Sequence, residues 1–193
     1  MRHRFSVADA ANMVALSYYV PPADLADFFG AMYLFTADRP RVADHTRADF
    51  AQIRFMLTGE GSYHFGDGRV VETPECCLLG PTSMATHFDV EGPMQVVGVT
   101  VLPLGWAALR AGDADSAADD AFDLTVRFGP GWRDVLLQLR AVEDPTRAAD
   151  MFWTFLRSQL QPVSDSDRRF VAETDRWLGD EQSPRVDALQ EAT

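Results

Sequence analysis

The chain of 193 residues contains no lysine: its 17 basic side chains are all arginine, set against 29 acidic ones, and the net charge is −12. So large an acidic excess argues against a phosphate-binding surface as the main activity. Cysteine is almost as scarce. Cys76 and Cys77 are the only two, and as neighbours on an extended chain they point to opposite faces, so a bond between them would close a strained ring. Both read as small buried hydrophobes without a thiolate-stabilising neighbour in sequence. No apolar run approaches a membrane span, and the basic N-terminus lacks the apolar stretch of a signal peptide, so a cytoplasmic protein is expected. No Gly-x-Ser-x-Gly turn surrounds a serine, and no glycine loop has the phosphate-cradling spacing. The residues point to no catalytic set and no cofactor.

Apolar residues make up 47% of the chain, enough for a sizeable core. From Asp49 to Val101 the pattern has period two. Ala51, Ile53, Phe55 and Leu57 share one side of an extended chain, and Gln52, Arg54 and Met56 the other. Gly59-Glu60-Gly61, Gly66-Asp67-Gly68, Gly80-Pro81 and Gly92-Pro93 punctuate the strands. Short strands at this spacing predict a mainly β fold, an antiparallel barrel of the jelly-roll (cupin) kind. Before it, residues 8–19 suit a short helix, residues 32–35 a strand, and residues 39–47 a polar loop. After it, Pro103 opens a short helix and Asp113–Asp120 reads as a solvated acidic loop. Helical spacing then takes over. Val135, Leu136, Leu139 and Val142 form one stripe and Phe152, Phe155, Leu156 and Leu160 another, predicting a helical hairpin. A third helix is expected over residues 167–178, closed by Gly179.

Pro22-x-x-Leu25, Phe55-Met56-Leu57-x-Gly59, Leu79-Gly80-Pro81, Gly98 to Pro103 with Gly105 and Leu109, then Asp119-Asp120, Leu124 and the two-helix tail together resemble the N-terminal sensory domain of AraC/XylS-type transcription regulators. The tail from Asp167, with Val186 and Leu189, is similar to the entry of that family's helix-turn-helix domain, with Gln190 in place of the usual small residue. The resemblance implies an effector-binding barrel over residues 1–112, an acidic loop and dimerisation hairpin over 113–161, and a linker with the start of a truncated helix-turn-helix domain over 162–193. It also implies a small-molecule effector, a homodimer, and contact with DNA only through recognition helices missing here.

A barrel interior suits one small ligand held by a few polar groups. The expected ligand-binding residues are Arg54, Tyr63, His64, Met84, His87 and Trp106, with Tyr63 and His64 facing opposite ways. Arg54 would pair with a ligand carboxylate or else stand solvated. Leu136, Leu139, Phe152, Phe155 and Leu156 are the expected dimerisation residues. The rival reading is a stand-alone metal-dependent cupin enzyme, an isomerase or dioxygenase. Only His64 and His87 lie near enough to its barrel to serve, since His3 and His45 fall outside the core, and no metal site is expected.

Overall fold

In the computed structural model, residues 13–179 are described in full and Arg4–Asp9 by backbone alone. Among the described residues, nine strands form one sheet: β1 (Arg4–Asp9), β2 (Val14–Tyr19), β3 (Phe29–Ala37), β4 (Arg41–Thr46), β5 (Gln52–His64), β6 (Val70–Glu72), β7 (Cys76–Leu79), β8 (Thr86–Val101) and β9 (Ala121–Asp123). The path runs β1-β2-β3-β8-β5-β7-β9, with β4 on β8 and β6 on β5, and every pairing is antiparallel. Five helices among the described residues accompany it: α1 (Pro103–Ala108), α2 (Leu124–Phe128), α3 (Gly131–Ala141), α4 (Pro145–Gln159) and α5 (Asp165–Leu178). The class is the expected one, mainly β with C-terminal helices. The architecture is cupin-like, antiparallel strands wrapped round an internal cavity with helices outside.

The long strands β5 and β8 build the frame. Their ladder is regular from Gln52↔Thr100 to Met56↔Val96, shifts register twice, and resumes from Glu60↔Glu91 to His64↔His87. Gly59 sits in the irregular stretch at φ 92°, a conformation glycine adopts without steric cost. Arg140 of α3 reaches this point: its Nε donates to the Leu57 carbonyl (3.0 Å) and its Nη2 to the Met56 carbonyl (2.9 Å) and to Glu75 (2.7 Å). The two register shifts invert the alternation. Gln52, Arg54 and Met56 face the interior before them, and Tyr63 does so after them.

The opposite face of the sheet carries the main core. Ile53, Phe55, Val97 and Val99 are buried there against Trp132, Leu136, Phe152 and Leu156 of α3 and α4. Phe55 stacks on Trp132 (6.2 Å between centroids) and meets Phe152 edge-on (5.5 Å). The helical periodicity is thus explained by packing on the sheet, as the α-on-β layer demands. The expected dimerisation residues belong to this core. Leu136, Leu139, Phe152 and Leu156 are at most 2% exposed, and the half-buried Phe155 packs against the same cluster. Nor does the chain divide at residue 112: β9 pairs with β7, and α3 and α4 share one core with the strands.

Three local expectations are corrected. Residues 14–19 form β2 and not helix, because Leu16 and Tyr18 fill one face of the sheet and Ser17 and Tyr19 are buried on the other. Residues 41–46 form the edge strand β4, held to β8 by its ladder and by an Arg41–Asp89 ion pair. The acidic loop is docked: Asp119 accepts from the Ser83 amide (2.8 Å) and hydroxyl (2.6 Å), and Arg69 donates to Asp120 (2.9 Å). The expected helix-turn-helix entry with Val186, Leu189 and Gln190, and His3 at the other end, lie outside the described residues. No helix among those described is long and apolar enough to cross a membrane.

Candidate functional site: a cavity with a central arginine

The inner face of the sheet encloses a cavity of about 280 Å³. Cross-strand rows line it. Leu16, Phe35, Val96 and Met56 stand side by side on β2, β3, β8 and β5 and form an apolar wall. The adjacent row is Tyr18, Tyr33, Gly98, Arg54 and Cys77. Glycine is needed in that row. A Cβ on Gly98 would lie 2.6 Å from Tyr33 Cε1 and nearer still to Cζ and the hydroxyl, so the bare backbone lets the tyrosine ring lie across β8 toward Gln52 and Arg54. Beyond the register shift, Tyr63, Phe88 and Val90 close the far side, with Met94 at the bend.

Four side chains make a polar cluster on the wall. Tyr33 donates its hydroxyl to Gln52 Oε1 (3.1 Å), and Arg54 Nε donates to the same oxygen (3.0 Å). Arg54 Nη1 donates to the Tyr63 hydroxyl (2.8 Å). Gln52 in turn donates from Nε2 to Asp49 Oδ2 at the cavity mouth (3.1 Å). Burial opposes the Arg54 charge, yet the oxygens of Tyr33 and Tyr63 and the sulfur of Cys77 hold its pKa above the ordinary arginine value. Burial also raises both phenols, and it pushes the Cys77 thiol up to about 12. At neutral pH the tyrosines and thiol are therefore uncharged and Arg54 is a cation. No carboxylate among the described residues pairs with it. A forked cation with donors to spare, on the wall of a largely apolar cavity, is an arrangement for fixing an anionic group.

Of the six expected ligand residues, Arg54 and Tyr63 line this cavity. His64 and His87 do not. They stand on the opposite face, where the ladder sets His45, His87 and His64 in one row with ring centroids 4.9 Å apart. Met84 is 52% exposed on a loop. Trp106 belongs to the helix-side core, its indole donating to the Gly112 carbonyl (2.7 Å). Sequence reasoning missed Leu16, Tyr18, Tyr33, Phe35, Met94 and Val96. Their signal was alternation in β2, β3 and β8, which cross-strand register alone ties to Arg54. Among the described residues, no three His, Cys, Asp or Glu side chains are grouped so as to hold a metal ion.

No family profile matches the chain, and no curated protein matches it. Solved structures do resemble it. The AraC-like transcriptional activator CuxR is 14% identical, with 98% of this chain and 84% of that one covered at a TM-score of 0.47. A cupin-2 domain from Rhodospirillum rubrum is 18% identical over 60% of this chain and 86% of its own (TM-score 0.32). The nucleoside dehydratase Pac13 is 12% identical over 51% and 75% (TM-score 0.32). A regulator and an enzyme both appear, and at these identities they do not separate the two activities.

Proposed function

We propose that the chain is the ligand-sensing and dimerisation domain of an AraC-type transcription regulator, binding a small effector in the cavity without turning it over. The observation that carries this reading is the cavity itself, an apolar enclosure with a half-buried arginine whose donors are not used up by protein. The elements leading away from it suit a sensor. β8 supplies Val96 and Gly98 to the cavity rows and ends at Val101, from which the chain passes directly into α1. The end of α1 is tied to the segment before α5: the Gln161 amide donates to the Ala108 carbonyl (2.8 Å), and Arg110 to the Pro162 carbonyl (3.2 Å). An effector that bound two settings of β8 unequally would thereby bias α5 and whatever follows it. The protein acts in the cytoplasm as a homodimer and reaches DNA only through the DNA-binding domain that the regulator reading implies. With the inner side chains of α3 and α4 committed to the core, self-association uses the outward side of α3, where Leu137 is 53% exposed.

The rival enzyme reading places its metal on His64 and His87, which here stand outside the cavity. Native mass spectrometry of the purified protein distinguishes the two. The sensor reading expects a dimer that retains an organic small molecule until denatured. A monomer carrying one transition-metal ion per chain would overturn it.

A further inference from the structure

Resting on that reading, we propose the chemical class of the ligand: a small monocarboxylic acid, bound as the carboxylate by Arg54, with an apolar body against Phe35, Met56 and Val96. The argument is one of charge and shape. Arg54 is the cation inside a cavity whose other central polar groups, Tyr33, Gln52 and Tyr63, are neutral. Cys77, next to it in the same row, stays a thiol at neutral pH and supplies no counter-charge. The nearest acid, Asp49, is exposed at the mouth and already engaged, one carboxylate oxygen taking the Phe50 amide (2.7 Å) and the other Gln52 Nε2. A cation with no anion beside it is costly away from water, and a ligand carboxylate supplies the missing charge through a charge-assisted hydrogen bond from the guanidinium. One interior arginine balances a monoanion. A phosphate dianion would need a second interior cation, and Arg47, the other arginine on the lining, is exposed. About 280 Å³ is at the lower end for ligand cavities, which suits a compact acid and not a nucleotide. A chain of net charge −12 that nonetheless lines its cavity with two arginines and one aspartate has its local charge set against its global charge.

Isothermal titration calorimetry with 3-phenylpropanoate and cyclohexanecarboxylate, each against its primary amide, tests this on the intact protein and on Arg54→Met. The intact protein should bind the acids about tenfold to a hundredfold tighter than the amides, as expected of a charge-assisted hydrogen bond. Arg54→Met should bring acid and amide to parity. Binding of the acids to the intact protein should weaken as the pH falls through the acids' own pKa, a readout independent of whether the variant folds. Equal binding of acid and amide by the intact protein would overturn the proposal while leaving a small-molecule sensor standing. Failure of both to bind would overturn it too, and the native mass spectrum then decides separately whether the cavity carries some other molecule. An acid preference retained in a folded Arg54→Met would assign the anion to another residue and overturn it.

Discussion

Replacing Gly98 by alanine tests whether the polar wall depends on a missing side chain. The added methyl would sit within 2.6 Å of Tyr33 Cε1 and nearer still to Cζ and the hydroxyl, so the ring must leave its place over β8. Overpacking of this kind costs about 1–3 kcal/mol. The displaced hydroxyl also gives up its bond to Gln52, worth about 1 kcal/mol. A total of about 2–4 kcal/mol lowers the midpoint by roughly 5–15 °C in a chain of this size. The assay is thermal or urea denaturation of a double-mutant cycle with Tyr33→Ala. If the tyrosine is the cause, Gly98→Ala on the Tyr33→Ala background changes sign. Alanine in a strand interior is then favoured over glycine by about 0.5–1 kcal/mol. The same penalty in both backgrounds would show that the clash is with something else and refute the reasoning.

Arg140→Met withdraws the donors that reach the Met56 and Leu57 carbonyls where β5 changes register. Urea unfolding should show a loss of about 2 kcal/mol, and an unchanged midpoint would dismiss the tie between α3 and the bend. Hydrogen bonding from Arg140 holds the Glu75 carboxyl below its ordinary value. Its contribution is therefore present at neutral pH, erodes as the pH falls past the ordinary carboxylate range, and is gone once the lowered folded value is passed. Glu75 is partly exposed, so Glu75→Gln should cost only about 0.5–1 kcal/mol at neutral pH, and the gap should close in acid; a gap that widens in acid would contradict the sign. Burial pushes Cys76 up to about 11 and Cys77 to about 12, so neither should react with Ellman's reagent in the native protein at mildly alkaline pH. Both should react in concentrated guanidinium, and stoichiometric native labelling would contradict their burial.

How far the sequence could be read depends on where a local period survives tertiary structure. Gln52, Arg54 and Met56 keep strict alternation, and their shared face was legible before any fold was known. The count fails past Met56, because two register shifts invert it. Tyr63 on the cavity and His64 outside follow from those shifts and not from spacing. The stripes of α3 and α4 were equally legible as faces, but a stripe does not say what covers it, and the cover is the sheet of the same chain. Strand β4 escaped notice because Val42 is its one strongly apolar residue and its partner β8 lies some forty residues away. Strand β2 escaped because Val14 and Tyr18 also fit a helical turn. Tyr33, Gly98 and Arg54 come together only through the register of three strands, so the wall's central device was invisible in one dimension.

The central claim is that a small molecule occupies the cavity between the two halves of the bent sheet. Methyl-labelled methionine NMR tests it by position, because Met56 and Met94 line the cavity while Met84 and Met151 lie elsewhere. Titration with 3-phenylpropanoate, or with the molecule released from the purified protein, should shift the Met56 and Met94 methyl signals saturably and leave Met84 and Met151 in place. Saturable shifts at Met84 or Met151 with Met56 and Met94 unmoved would contradict the account.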